Sequence, residues 1–291
     1  AHNWDKEERR SIRRFMPHYS AYDTVQRIGG LDGISDDQIR RVPLEVTRRL
    51  PPVGCQLLHG SYLASDDIDL RCEGCVDAPV MTMDSDHIQD LETIWNPVDD
   101  DETGAALLLV VHDYESPTVS NPAEAEIVRQ LVDARGDTDD LFVLTPFNIQ
   151  KQLIAQPPLG SDLVKTVNEA QGDERDDVII SLATSDRSRL RAAEAFILDP
   201  GRWTVGLSRM KRRLIVVISK ELLSHTPTSS SAYEGASLLY ELQTACTDKV
   251  HRFQFEQDGQ HVNARVYRPH PQWLDRAHER VIQNQNESID V

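Results

Sequence analysis

The sequence lacks long apolar runs. Of its 291 residues, 39% are hydrophobic and 6% are aromatic, but no uninterrupted apolar stretch approaches the ~18 residues of a membrane-spanning helix. We therefore expect no membrane partner, while a hydrophobic fraction of this size still allows a sizeable core. The sequence also has no signal-peptide pattern, and its first residue is Ala1 and not Met. We expect a cytoplasmic piece of a longer protein.

Cysteine is scarce, with four residues in the chain. So few cysteines in a chain of this length argue against a disulfide scaffold and for a reducing compartment. One set, Cys55, His59, Cys72 and Cys75, has a spacing that a tetrahedral zinc site can use. A single C-x-x-C with a stray Cys and His also arises by chance, and we favour free thiols. A zinc-stabilised binding domain over residues 55–75 stays open as an alternative.

Basic residues are outnumbered, with 31 Lys and Arg against 48 Asp and Glu and a net charge of −17. This balance is unusual for a nucleic-acid protein, whose footprint is normally basic. Asp exceeds Glu and Arg exceeds Lys, a bias typical of a salt-adapted (halophilic) organism, in which an acidic shell maintains solubility and says little about the ligand.

The charge is unevenly distributed. Residues 66–102 contain thirteen acids and one base, whereas residues 187–213 contain eight bases and two acids. A basic segment on an acidic chain is what a local phosphate-binding surface needs, although each single arginine there can equally be a solvated surface residue.

A regular alternation of strands and helices begins near residue 105. Residues 105–113 form a continuous apolar run, which predicts a strand buried on both faces. Asn121, Pro122 and Glu124 then provide a cap, a first-turn proline and a first-turn acid for a helix that ends near Gly136. The next predicted strand is 141–146.

Similar patterns predict the remaining elements. We expect strands at 164–167, 178–183, 214–219, 250–256 and 261–267, and helices at 148–156, 200–211, 233–247 and 272–285. The last two strands form a hairpin with Asp258-Gly259 in its turn. Alternating strands and helices predict an α/β fold with a parallel sheet flanked by helices. We divide the chain into an Arg-rich helical and acidic irregular segment (1–104), the α/β domain (105–224) and a helix-hairpin-helix extension (225–291).

Three short motifs in the α/β domain carry groups suited to phosphate chemistry. Thr145-Pro146-Phe147 follows a strand, Gln171-Gly172-x-Glu174 lies between two strands, and Ser208-Arg209-Met210-Lys211 closes the predicted helix 200–211. A hydroxyl, a glycine that permits close backbone approach and a bidentate guanidinium are typical phosphate ligands. Each motif alone is equally consistent with an ordinary turn, a solvated acidic loop or a basic helix end.

The order and spacing of the motifs are more specific. LFVLTPFNIQ, TVNEAQGDERDDVIISL and FILDPGRWTVGLSRMKRRLIVV together resemble the second RecA-like motor domain of superfamily 1 helicases. The resemblance is to the branch with RNA-surveillance helicases and replication helicase-nucleases, and it covers residues 105–224. It implies a RecA-like P-loop NTPase fold that binds both nucleotide and nucleic acid.

The resemblance also implies roles for the nucleotide-facing residues. Arg209 is expected to be the arginine finger that stabilises charge on the transferring phosphoryl group. Gly172 and Glu174 are expected beside the nucleotide, and Gln171 is expected to couple the nucleotide site to the nucleic-acid groove. ATP and Mg²⁺ are expected as cofactors, shared with a first motor domain.

The other implied roles concern a single strand of nucleic acid, for which the branch favours DNA over RNA. Thr145 and Thr166 are expected to hold strand phosphates, and Phe147 is expected near a base or sugar. We further expect Thr145, Gly172, Glu174 and Arg209 to line one edge of the sheet.

Two departures from the family pattern favour an alternative. No G-x-x-x-x-G-K-[ST] loop is present, because no Gly in the chain is directly followed by a Lys. We expect that loop in an N-terminal RecA-like domain of the same protein, so this chain alone should not hydrolyse ATP. Leu63 also stands where a phosphate-contacting Arg is expected. Leu63 and the acidic surface favour the alternative of a non-catalytic nucleic-acid-binding or interaction module derived from a helicase.

Overall fold

The computed structural model describes residues 45–48, 50–73, 95, 107–170 and 172–282. These residues belong to one compact unit, which spans Glu45–Val291. The predicted Arg-rich helices of residues 1–44 lie outside the described residues. In the part of the chain that is described, no helix combines the length and apolar character needed to cross a bilayer.

The strands form two sheets. In chain order they are β1 (Val46–Thr47), β2 (Arg71–Glu73), β3 (Leu107–His112), β4 (Leu141–Thr145), β5 (Val164–Thr166), β6 (Arg175–Ser181), β7 (Met210–Ser219), β8 (Cys246–Gln257), β9 (Gln260–Pro269) and β10 (Val281–Ile282). The larger sheet has the order β5-β4-β6-β7-β3-β9-β8, and the smaller sheet has the order β1-β2-β10.

Eight helices are described. They are α1 (Pro52–Asp66), α2 (Pro122–Arg135), α3 (Asn148–Ile154), α4 (Arg187–Ile197), α5 (Pro200–Leu207), α6 (Lys220–Leu223), α7 (Ser230–Ala245) and α8 (Pro271–Glu279).

In the larger sheet, the strands β5, β4, β6, β7 and β3 are parallel to one another. β9 pairs antiparallel with both β3 and β8. The parallel strands are apolar on both faces because helices cover both. One core contains residues of α1, α4, α5, α7 and α8, and the other contains residues of α2 and the end of α3. The predicted α/β fold is thereby confirmed as a mostly parallel sheet flanked by helices of the RecA-like type.

The hairpin confirms the turn chemistry expected from the sequence. Asp258 and Gly259 both have positive φ, 49° and 75°, as a two-residue hairpin turn of this hand requires. β9 then pairs antiparallel with β3, so residues of the predicted extension continue the sheet of the α/β domain.

Several segments differ from the prediction. Helix α4 lies where no element was predicted, and the helix predicted for 272–285 ends at Glu279 and is followed by β10. Residues 52–66 lie in a region interpreted as irregular, but they form α1, which begins with Pro52 in its first turn and buries Leu57 and Leu58. The helix predicted for 200–211 ends at Leu207, and β7 already begins at Met210. Pairing of Met210 with Arg175 of β6 extends the strand at the expense of the helix.

A buried carboxylate joins β3, α2 and β6. Glu124 is completely buried, and its Oε2 accepts hydrogen bonds from Ser181 Oγ at 2.6 Å and from the Ala183 amide at 2.9 Å. Its Oε1 lies 3.0 Å from His112 Nε2. The predicted cap is confirmed, since Asn121 Oδ1 accepts from the Glu124 amide at 3.1 Å.

Gln150 extends this network to α3. Its Oε1 accepts from the Asn121 amide at 2.6 Å, and its Nε2 donates to Ser181 Oγ at 2.9 Å. Because every member is buried and hydrogen-bonded, the network specifies one arrangement of the strand ends and the helices that follow them.

We predict that Glu124→Gln lowers the free energy of unfolding by about 2 kcal/mol, because the NH2 group of the new amide must face either Ser181 and Ala183 or His112 Nε2, all of which donate. His112 Nε2 is a donor because His112 Nδ1 accepts from the Tyr114 amide. The matched control is Glu126→Gln on the same helix, which removes only a partly exposed pair with Arg129 and is expected to cost under about 0.5 kcal/mol. Urea unfolding measures both. Equal losses in the two variants would contradict this role of Glu124.

A second buried carboxylate attaches the extension to the α/β domain. Glu194 of α4 accepts from the Ser229 amide at 2.7 Å and from Thr228 Oγ1 at 2.8 Å, and it lies 3.1 Å from His225 Nε2. Hydrogen bonds from Ser229, followed by those from Thr228 and His225, lower the Glu194 pKa from 4.5 to about 2 against the opposing effect of burial.

This shift predicts a pH dependence of stability. A carboxyl with a lowered pKa in the folded state stabilises the fold above pH 4.5, and this contribution disappears as pH falls towards 2. The unfolding midpoint in urea of the wild type should therefore fall more steeply between pH 5 and pH 2 than that of Glu194→Gln. Glu279→Gln, on the exposed side of α8, is the control and should retain the wild-type slope. Parallel curves for wild type and Glu194→Gln would refute the effect.

Candidate nucleotide site and nucleic-acid interface

The predicted site residues fall at two opposite edges of the larger sheet. Thr145 and Thr166 are the last residues of β4 and β5, at what we call the carboxyl edge, where the parallel strands end. Gly172, Glu174 and Arg209 precede β6 and β7, at the amino edge, where those strands begin.

The expectation that Thr145, Gly172, Glu174 and Arg209 line one edge is therefore wrong. Residues that follow their strands cannot share an edge with residues that precede theirs in a parallel sheet. The division nevertheless follows the roles expected from the sequence. The nucleotide set (Gly172, Glu174 and Arg209) lies at the amino edge. The nucleic-acid set (Thr145, Phe147 and Thr166) lies at the carboxyl edge.

At the amino edge, Arg209 contacts the loop that contains Gly172. Its Nη1 donates to the carbonyl of Asp173 at 3.2 Å, and its own carbonyl accepts from the Arg175 amide at 3.0 Å. Gly172 has a φ of +96°, and no heavy atom lies within 4 Å of the position that a Cβ would take. The structure thus joins two of the three motifs, which are 37 residues apart in the chain (209 − 172).

The Arg209 guanidinium is folded against the protein. Its Nε donates to the Val205 carbonyl at 2.9 Å and its Nη2 donates to Ser208 Oγ at 2.8 Å, which leaves the residue 5% exposed. The guanidinium therefore does not project from the surface, as an arginine finger is expected to do, because carbonyl oxygens of α5 and of the Gly172 loop accept its hydrogen bonds.

Asp173 adds an exposed carboxylate to this edge. It lies 2.7 Å from Lys165 Nζ, and this contact, with smaller contributions from Arg175 and Arg209, lowers the pKa of Asp173. Glu174 is half-buried immediately before β6. Gln171, the remaining predicted residue of the nucleotide set, lies outside the described residues.

At the carboxyl edge, Thr145 is completely buried and its Oγ1 lies 3.5 Å from the Phe147 amide. Phe147 is 8% exposed, and its ring packs against Phe196 with 5.4 Å between centroids. Neither side chain is presented on the surface, so their roles towards a strand of nucleic acid stay predictions.

Thr166 begins a braced turn at the same edge. Its Oγ1 accepts from the Glu169 amide at 3.3 Å, and its amide donates to Glu169 Oε2 at 2.7 Å. Lys151 Nζ lies 2.8 Å from the same carboxylate. Hydrogen bonds from Lys151 and then from Thr166 lower the Glu169 pKa to about 2. The Thr-x-x-Glu spacing, a capping-box signal, could have revealed this brace in the sequence.

The candidate zinc residues make other contacts. The Cys55 thiol donates to the Leu70 carbonyl at 3.4 Å, the Cys72 thiol to the Arg280 carbonyl at 3.8 Å, and His59 Nε2 lies 3.0 Å from Asp69. Cys75 lies outside the described residues, and within those residues no group of three metal-ligating side chains is present.

The sequence of this domain is similar to those of known proteins. The model of the AAA domain family matches residues 89–221. The chain is 33% identical over 114 residues to the DNA replication ATP-dependent helicase/nuclease JHS1 of Arabidopsis thaliana, covering 38% of this chain and 9% of that protein. It is 24% identical over 180 residues to the DNA-binding protein SMUBP-2 of Mus musculus, covering 58% and 18%.

A further relative is the probable RNA helicase armi of Drosophila melanogaster, 29% identical over 114 residues, with 36% of this chain and 9% of that protein covered. The chain spans less than a fifth of the length of each of these relatives. The matched segment contains both edges of the parallel sheet and all three motifs. Residues 89–221 match the AAA domain family, and these similarities support a C-terminal motor domain of the superfamily 1 helicase type in this chain.

Proposed function

We propose that this domain works in an ATP-dependent helicase, in which it binds single-stranded nucleic acid and supplies Arg209 as the arginine finger for ATP hydrolysis. The observation that carries the proposal is the meeting of Arg209 with the Gly172 loop at the amino edge. This contact unites the two most family-specific motifs, and a guanidinium beside a permissive glycine is suited to bind a phosphate.

The residues at the amino edge are of the types that contact the phosphates and ribose of ATP. No heavy atom lies within 4 Å of the Cβ position of Gly172, Arg209 offers a bidentate donor, and the Glu174 carboxylate is a group that can accept from a ribose hydroxyl. Mg²⁺ and the remaining phosphate ligands are assigned to a first motor domain, because the chain has no phosphate-cradling G-x-x-x-x-G-K-[ST] loop. ATP with Mg²⁺ supplies the phosphoanhydride bond whose hydrolysis releases the energy for movement.

Arg209 must turn outward to act in this way. The side chain has to give up its hydrogen bonds to Val205, Asp173 and Ser208, each worth roughly 1.5–3 kcal/mol because the donor is charged. Two bonds to a phosphate are worth roughly the same each, so they offset only part of the loss. We infer that the outward position is occupied only when a phosphate and the first motor domain are in place.

We assign the binding of nucleic acid to the carboxyl edge. DNA is favoured over RNA, because two of the three relatives above are named for DNA and one for RNA. The proposed partners are thus single-stranded DNA and an N-terminal RecA-like domain of the same protein, in a reducing cytoplasm.

The alternative is a non-catalytic module that binds nucleic acid or a partner protein. It is favoured by Leu63, which lies on α1 with 45% of its surface exposed and offers no guanidinium where the family pattern expects one. The two functions differ in one respect that can be measured, namely whether Arg209 affects ATP turnover.

We predict that Arg209→Ala lowers the kcat of nucleic-acid-stimulated ATP hydrolysis about a thousandfold, measured in a protein that joins this chain to its first motor domain. Arg209→Lys should remain strongly impaired, because an ammonium cannot replace the bidentate guanidinium. Lys211→Ala, which removes an exposed charge two residues away, is the matched control and should turn over ATP at the wild-type rate.

Binding to single-stranded DNA should be unchanged in all three variants, because Arg209 lies at the amino edge. Wild-type turnover in Arg209→Ala would refute the arginine-finger assignment. The absence of ATP hydrolysis in the wild type would support the non-catalytic alternative.

A further inference from the structure

The hairpin of the extension creates a groove at the carboxyl edge, away from the helicase motifs. This hairpin groove has a volume of about 330 Å³, and it lies where β3 and β7 end against β9. Its polar and aromatic lining consists of His112, Asp113, Lys220, Arg252, Asn263, Arg265 and Tyr267.

Three cations meet in the hairpin groove. Arg252 and Arg265 are direct partners across β8 and β9, and Lys220 follows β7. Like charges opposite each other destabilise an antiparallel pair, and an anion between them would remove that cost. In a chain of net charge −17, such a concentration of positive charge requires an explanation other than average composition.

The one carboxylate of the lining does not neutralise these cations. Asp113 accepts from the amide of Asn263 at 2.7 Å and from its Nδ2 at 3.1 Å, and Asn263 Oδ1 in turn accepts from Arg252 Nη2. These bonds fix Arg252 at the groove. Within the described part of the chain, the charged groups of Lys220 and Arg265 have no hydrogen bond or close ion pair. Lys220 interacts electrostatically with Glu221, but that carboxylate pairs closely with Arg187.

The position of the groove indicates which anion it takes. β4 and β9 are four strand spacings apart in the sheet, a distance of about 19 Å along the carboxyl edge. A strand that passes the ends of β4 and β5 can therefore reach the hairpin groove along the same edge. Cations next to the half-buried ring of Tyr267 are the combination that single-stranded nucleic acids use, through phosphates and base stacking.

We propose that the hairpin groove binds phosphates of the nucleic-acid strand, so that the extension lengthens the binding path of the motor domain. This inference rests on the proposed nucleic-acid binding at the carboxyl edge, and it adds a site outside the helicase motifs. It assigns a role to residues of the 225–291 segment, whose function the family resemblance leaves open.

The salt dependence of binding tests the proposal. The 291-residue chain is titrated against a fluorescent 20-nucleotide oligothymidylate between 50 and 200 mM NaCl. Each phosphate contact contributes about 0.7 to the slope of log K against log salt for single strands. Arg252→Ala/Arg265→Ala should therefore lower the slope by about 1.4, and its affinity deficit should shrink about sevenfold across this salt range.

Two further variants separate charge from folding. Arg191→Ala/Arg276→Ala removes two exposed arginines from α4 and α8, outside the groove, and should keep the wild-type slope. Arg252→Lys/Arg265→Lys keeps the charge on the hairpin and should also retain most of the slope. Lys220→Ala, which leaves the hairpin unchanged, should lower the slope by about 0.7.

Equal slopes for Arg252→Ala/Arg265→Ala and Arg191→Ala/Arg276→Ala would overturn the groove while leaving the proposed motor function intact. A loss in the alanine pair that the lysine pair does not restore would overturn it as well, because the hairpin structure and not its charge would then be responsible. No binding of the wild-type chain to the oligonucleotide would overturn both the groove and the proposed nucleic-acid interface.

Discussion

The buried carboxylate of Glu124 fixes the carboxyl edge on which the rest of the motor domain depends. A carboxylate without access to water requires donors on all sides, and Ser181, the Ala183 amide and His112 surround it. The ends of β3 and β6 and the start of α2 are consequently held in one arrangement. Gln150 transmits the same constraint to α3, and therefore to the segment that follows Thr145.

The parallel sheet separates the two proposed activities. Residues that precede β6 and β7 form the nucleotide set, and residues that follow β4 and β5 form the nucleic-acid set. β6 and β7 run through the sheet between the two edges with a continuous register from Asp177↔Arg213 to Ser181↔Val217. A packed parallel sheet of this kind is rigid, so in the proposed helicase a change at one edge would reach the other as a movement of the whole domain.

Much of this fold follows from local patterns in the sequence. β3, β4 and α2 are predicted because apolar runs and the Asn121 cap are local signals, and the hairpin is predicted by Asp258-Gly259. The end of α5 is not predicted, since the pairing of Met210 with Arg175 decides it and this contact spans two motifs. α1 is also missed, because its apolar face is interrupted by Gly54, Gln56 and His59 and is recognisable only once Leu57 and Leu58 are seen in the core.

The candidate site residues come from sequence motifs, but their placement in the fold could not be predicted from those motifs. The motifs name the residues of both sets, whereas their placement at opposite edges depends on whether each residue precedes or follows its strand. The inward fold of Arg209 depends on the carbonyls of Val205 and Asp173. The hairpin groove joins residues 113, 220, 252 and 265, which no local pattern brings together.

The central claim is that nucleic acid binds at the carboxyl edge and nucleotide at the amino edge. The most direct test is photocrosslinking of the chain to a single-stranded oligonucleotide containing 4-thiothymidine, with the crosslinked peptides identified by mass spectrometry. The account predicts crosslinks in residues 145–151, 166–170 and 249–267. Crosslinks concentrated in residues 172–175 and 205–211 would contradict it.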